Sequence, residues 1–392
     1  MRTALLSAPR QRGFSLIELM VSLAIGLVLT LAITVLLTRN EAGRRGLNSS
    51  NDMEQTGAYL ALQLDRSLRS AGSSFTHRWS NAYGCQIRAA RAGDDILPLA
   101  EALDAPFDDL PLAVRLAPVL IYPAAAGDGG DVLSIMAGAG GLSESTLTIQ
   151  PKSVTDVQLR LPNTIGMRDG DIIALLHPSL GCMVEQVADG FAGSNTQVLS
   201  LGDPSQGDSY YSSSIDGLNL TDYAEANGPE LLQLGNSVGS PPQFMWMGVG
   251  SNDTLLSYDL LQIGGNTKPQ TMADGVMALH AVYGVDTNGD GTLDEWHSAD
   301  EAGYAPDDLT DISNAANIQR LRSIVAVRVG LVLSSALVER DAVPAASSFT
   351  LFGDLGDLAI EVDLADRADK DTQVKRRHRV FEFTVPLRNA LI

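Results

Sequence analysis

Cysteine is almost missing from this chain of 392 residues, which has only Cys85 and Cys182. Neither belongs to a C-x-x-C pair, which argues against a zinc site or a thioredoxin-like centre. In an exported protein a lone pair of cysteines usually forms one disulfide, and two buried thiols that never meet are the other reading. That bond would close a loop of about 97 residues, and the chain-entropy model gives roughly 4–5 kcal/mol for it. Histidine is scarce as well. His77, His177, His280, His297 and His378 show neither H-E-x-x-H nor H-x-H spacing, and no G-x-S-x-G elbow occurs. His280 falls inside an expected strand and reads as a satisfied sheet residue. The glycine-rich GAGGLSES at 138–145 lacks the Lys-Ser/Thr of a phosphate-binding loop and reads as a flexible connection. Nothing here starts an enzyme argument.

Positive charge is also in short supply. Lys and Arg number 27 against 47 Asp and Glu, for a net charge of −20. Such a surface argues against non-specific nucleic-acid binding and against docking on anionic lipid headgroups. It suits a soluble surface outside the cytoplasm. The one dense basic patch is KRRHR at 375–379, a solvated lead-in to an edge strand or a contact for an acidic partner. Proline is absent between Pro9 and Pro98, so one helix can run from Phe14 to about Ala71.

What is present is an apolar run from Phe14 to Leu37, interrupted by one acid, Glu18. As a helix it is long enough to cross a bilayer core of about 30 Å. It is too long for the apolar region of a secretory signal, and no A-x-A-like site closes it. Arginines flank both ends, so charge alone leaves the orientation open. An acid inside a membrane-length segment is functional by default and needs a partner. The second half of the helix is amphipathic. Met53, Leu60, Leu64, Leu68 and Ala71 recur at helical spacing, with Asp65, Arg66 and Arg69 between them. That stripe should pack on a globular head, with Gly43, Gly46 and Gly57 as softer points.

A basic leader ending in Gly13, then Phe14 and SLIELMVSLAIG, resembles the class III signal of type IV pilins and pseudopilins. The resemblance implies cleavage between Gly13 and Phe14 by a membrane peptidase that then N-methylates Phe14. Glu18 becomes the fifth residue of the mature chain. It implies an assembly role for Glu18 as well: in a filament its carboxylate would meet the amine of Phe14 in a neighbouring subunit. A buried unpaired charge is strongly unfavourable, so such pairing selects register. Major pilins often carry a helix-kinking proline in the membrane half. This chain has Val35 and its neighbours there, which argues against a major-subunit role.

After residue 73 the pattern turns to period two, with strands expected at 131–136, 171–176, 183–187, 255–261, 276–285, 323–334 and 380–387. In SIVAVRVGLVLSS, Val325, Val327, Val329, Leu331 and Leu333 alternate with Ala326, Arg328 and Gly330, as in a strand with one buried face. The stretch 202–244 is rich in Gly, Ser, Asp and Pro and reads as a long surface insertion. The expected fold class is α+β, a long N-terminal helix on a large β-rich head. Expected segments are a leader at 1–13, a membrane or filament-core half at 14–38, an amphipathic half at 39–72 and a head at 73–392. LQLDRSLRSAG, YGC at 83–85, DGVMALHAVYGVDTNGDGTLDEW at 275–296 and RRHRVFEFTVPLRN give the chain a resemblance to PilW-type minor pilins.

That resemblance implies a subunit that primes pilus assembly near the tip and supports motility or adhesion. It implies other minor and major pilins, the prepilin peptidase/methylase, an inner-membrane assembly platform and membrane lipid as partners, and no nucleic acid. Before assembly the chain would cross the inner membrane once with its head in the periplasm; afterwards it would lie in the pilus at the cell surface. A minor pseudopilin of type II secretion and a tip adhesin with a ligand site in the head are the alternatives.

DTNGDGTLDEWH at 286–297 is close to an EF-hand loop. Asp286, Asn288 and Asp290 would be side-chain ligands of Ca²⁺. Thr292 would offer its carbonyl, and Asp294 would bind directly or through water. His297 stands where a bidentate Glu belongs, and imidazole matches hard calcium poorly. Glu295 or Asp300 could substitute for it. An Asx-Gly turn without an ion is the other reading.

Overall fold

With no proline to remove a donor or clash with the preceding turn, the helix ladder runs unbroken over Leu16–Ser70, 55 residues. This computed structural model describes residues 15–139, 146–202, 210–339, 347–365, 367 and 369–388. Gly13, Phe14 and the glycine-rich 140–145 lie outside the described residues. The chain divides between Asp52 and Met53 into two compact units, and the helix contributes to both. The fold is α+β, with an apolar N-terminal helix segment and several sheets. The helix stops where Gly72 adopts φ +79°, a backbone conformation glycine enters without a Cβ penalty. The Gly72 N–H donates to the Met136 carbonyl at 2.8 Å.

In the second unit, Met53, Leu60, Leu64, Leu68 and Ala71 are buried in the main core, as the helical spacing predicts. Three sheets share that core. The first is antiparallel, in the order Glu295–His297, Val276–Val285, Ile324–Ser334, His378–Pro386. The second, also antiparallel, runs Gln270–Asp274, Thr254–Asp259, Gln243–Gly250, Val132–Ala137, Val119–Tyr122. The third runs Asp94–Leu97, Ile87–Arg91, Gly181–Gln186, Asp171–His177, Glu230–Asn236, Leu147–Thr148, with Ile87–Arg91 and Gly181–Gln186 parallel.

Each of the seven expected strands is present. Two details of SIVAVRVGLVLSS differ. A register shift between Gly284 and Val285 puts Ile324, not Val325, in the main core beside Val327, Val329 and Leu331. A bulge adds one residue and so reverses the parity beyond it. The other face is covered too: Val332 packs with Met277, Leu351 and Phe352 in a smaller cluster.

The larger correction concerns 202–244, which is not a surface insertion throughout. Glu230–Asn236 is a fully buried strand inside the third sheet. Leu232 and Leu234 enter the main core and Leu231 a second one. A strand buried on both faces shows no alternation, and its polar side chains are bonded internally. Asp171 accepts from Gln233 Nε2 at 2.7 Å and from Asn236 Nδ2 at 2.8 Å. The second core includes Ile173, Leu175, Met183, Leu199, Leu220 and Tyr223. It makes this sheet the middle of three layers, capped by the ladder pairs Gln158–Arg160/Val198–Ser200 and Ser214–Ile215/Leu218–Asn219 and by the short helix Asp222–Glu225.

Cys85 and Cys182 form the expected disulfide, with Cα atoms 5.8 Å apart across 97 residues of sequence. It sits beside the parallel register Ile87↔Cys182 and ties the chain after the helix to the centre of the third sheet.

Candidate functional site

Within the first unit, Leu16–Thr38 has a mean hydropathy of 2.6 and none of it is buried. Twenty-three residues rising 1.5 Å each span about 35 Å, which matches a bilayer's hydrocarbon core. Glu18 lies in the first helical turn, and its N–H donates to the Ser15 carbonyl at 3.0 Å. The free N–H groups of a helix start favour a negative charge there. From residue 19 to residue 38 the sequence holds no basic side chain, so this stretch of the helix supplies no counter-charge one turn on. Asp65 differs. Its oxygens take the Arg69 Nε at 2.7 and 2.8 Å, and this bond holds the Asp65 carboxyl below its ordinary range.

Gly57 on the second half of the helix has a function the sequence reading missed. A Cβ there would run into the ring of Phe381, from the strand His378–Pro386. The missing side chain lets the last strand lie directly on the helix. Arg379 adds an ion pair to Glu54 and sits over the Phe381 ring at 5.6 Å.

The basic run 375–379 is not a free patch. Arg376 reaches Asp253 at 3.5 Å, Arg377 reaches Glu339 at 2.8 Å, and Arg379 takes Glu54. Burial pushes His378 down to about 4, leaving it uncharged at neutral pH. Asp253 is buried and also takes Arg367 at 2.7 Å and Gln373 Nε2 at 2.7 Å. The basic run therefore clamps the C-terminal segment onto the head. Arg328 has a similar place, with Asp354 held by two nitrogens at 2.7 and 2.8 Å and Glu382 at 2.6 Å. His280 Nδ1 lies 3.4 Å from Asp131.

The acidic loop closes the hairpin between Val276–Val285 and Glu295–His297. Asp286 accepts N–H groups from Asn288, Gly289 and Gly291 at 3.1, 2.6 and 2.7 Å. Gly289 and Gly291 have φ +78° and +83°. Asp290 accepts the hydroxyl and N–H of Thr292 at 2.5 and 2.8 Å, bonds that hold its carboxyl below the ordinary value. Asp294 accepts from Thr287 and Asn288. His297 turns to other partners, stacking on Tyr304 at 4.2 Å and meeting Glu301 at 2.6 Å. The hard oxygen donors suit calcium. The described loop satisfies them from its own N–H and hydroxyl groups, and among the described residues no three His, Cys, Asp or Glu gather in a metal-holding group.

Of the cavities, a cleft of about 450 Å³ is lined by Pro106, Asp109, Ala126, Ser251, Asp253 and Arg367. Within it Arg367 is paired with Asp253 at 2.7 Å.

Comparison with known families was informative at both ends of the chain. Residues 244–389 match the family Type IV Pilus-assembly protein W, and residues 8–34 match the Prokaryotic N-terminal methylation motif. No curated protein and no solved structure matches the chain. Residues 35–243, which include the disulfide and the capped sheet, fall outside both matches. Families of the pilin type are structural. The two matches, with the apolar helix between Leu16 and Thr38, support a type IV pilin-like protein of the PilW kind, anchored by its N-terminal helix.

Proposed function

We propose that this protein is a minor pilin that primes type IV pilus assembly and sits at or near the pilus tip, supporting motility and adhesion. The observation that carries the reading is the pairing of a methylation motif and its exposed apolar helix with a C-terminal PilW match. The leader 1–13 is removed between Gly13 and Phe14, and Phe14 is methylated. Before assembly the helix spans the inner membrane and the head faces the periplasm. Its partners are other minor and major pilins, the peptidase/methylase and the inner-membrane assembly platform. On leaving lipid, Glu18 exchanges hydration near the bilayer surface for the terminal amine of a neighbour, because an unpaired buried charge costs several kcal/mol. Glu18→Ala is therefore inserted and cleaved like the parent but falls at least tenfold in sheared fibres, read by immunoblot of fibre and membrane fractions. Parental incorporation of the variant would contradict the reading.

Calcium is the ion we propose for the loop, held by Asp286, Asn288, Asp290, the Thr292 carbonyl and Asp294. Binding exchanges the bonds that Asp290 and Asp294 make to Thr292 and Thr287 for contacts to the ion. The affinity expected is that of extracellular loops, on the order of 10⁻⁴–10⁻³ M. Calorimetry of the full chain in detergent should give heat with calcium that Asp290→Ala abolishes. Equal heats from both proteins would remove calcium from the account.

A further inference from the structure

Glu185 is a fully buried carboxylic acid that nothing so far explains. It lies on Gly181–Gln186, opposite Ile173 of the neighbouring strand. Its flanking residues Cys182 and Val184 point into the main core, while Met183 and Val187 point with it into the second core. None of its surface is exposed. Its Oε1 accepts one long bond, from the Ser212 N–H at 3.4 Å. Its Oε2 has no partner.

The charged and titratable groups around it make their bonds elsewhere, and the buried Nε of Arg88 makes none. Arg88, on the parallel neighbouring strand opposite Met183, donates to the Leu180 carbonyl at 3.1 Å and to Asp216 at 3.4 Å. Asp171, two residues from Ile173, is held by Gln233, Asn236 and the Arg168 N–H. From the cap, the buried Tyr223 donates to the Gly181 carbonyl at 3.0 Å. Asp222 accepts from Asn219, and the Tyr211 hydroxyl donates to the Asp156 carbonyl. Among the described residues no cation is bonded to the Glu185 carboxyl, and an uncompensated buried charge is strongly unfavourable.

We propose that Glu185 is a proton-controlled latch for the cap over the third sheet: neutral, it lets the cap close, and ionised, it drives the cap open. The side that yields follows from the packing. Beneath Glu185 are the paired strands, the main core and the disulfide at Cys182. Above it the cap has a two-residue ladder, Ser214–Ile215 with Leu218–Asn219, and a four-residue helix. Lifting the cap is the cheapest way to hydrate the carboxylate, and it uncovers Tyr211, Leu218 and Tyr223 as an apolar surface.

The direction with pH follows. Burial raises the Glu185 carboxyl well above its ordinary 4.5. A group whose folded value is raised contributes stability that is whole below the unfolded value and lost as pH climbs through the folded one. The cap is closed in acid and loosens toward alkaline pH. Hydrogen exchange of the full chain in detergent, followed by mass spectrometry across pH and corrected for base-catalysed chemistry, tests this. In the parent, protection of 210–224 should fall up to about tenfold per pH unit above the folded value. In Glu185→Gln it should stay level. Protection of Ile324–Ser334 should stay level in both, which separates cap opening from general unfolding. Cap protection independent of pH in the parent, or an equal fall in Glu185→Gln, would overturn the proposal.

Discussion

One helix carries two different solutions to the same problem. Over Leu16–Thr38 it is apolar all round, and none of that surface is buried within the chain. From Met53 onward it is apolar along one stripe, and that stripe is buried at Leu60, Leu64 and Leu68. A helix apolar on every side needs an apolar surrounding, lipid or other helices. A helix with one apolar stripe needs one partner surface, and here its own head provides it. The acids follow the same division. Asp65 has Arg69 one turn on, whereas the twenty residues after Glu18 offer no cation. The second half is complete within one chain, and the first half is built to be completed by something else.

The comparison can be broken by substitution. Leu64→Ala removes a side chain with no exposed surface, and should lower the stability of the head by about 2–5 kcal/mol in denaturant unfolding. Gly57→Ala puts a methyl into the Phe381 ring. The helix propensity it gains is under ~1 kcal/mol, against a typical overpacking cost of about 1–3 kcal/mol, so a smaller net loss is expected. Leu27→Ala, on the exposed half, should leave the unfolding midpoint of the head unchanged. A head destabilised by Leu27→Ala as much as by Leu64→Ala would erase the distinction between the halves.

Much of this was legible in the sequence because the signals are local and periodic. The stripe from Met53 to Ala71 and the strand Val276–Val285 repeat at the spacing of their elements, and both are found as read. The disulfide was one of two readings of a lone cysteine pair, and the structure holds it. What escaped depends on contacts between distant segments. Gly57 reads as a weak helix former until Phe381, 324 residues later, is placed against it. KRRHR reads as a surface patch until Asp253, Glu339 and Glu54 are seen to take its charges. Glu230–Asn236 is hidden by its polar surroundings, because Gln233 and Asn236 are paid for by Asp171 on another strand. Val325 reads as a core residue because it is itself the extra residue of a bulge, skipped between the pairs Gly284↔Ala326 and Val285↔Ile324, which only the partner strand reveals. Glu185 looks like an ordinary outward acid in GCMVEQ until a second core covers it.

The most direct test of the central claim is to shear surface fibres from cells that make this protein and search them, beside the membrane fraction, for its N-terminal peptide by mass spectrometry. A methylated peptide beginning at Phe14 is expected in the sheared fibres. A peptide beginning at Met1 in both fractions, with no methylated form, would contradict it.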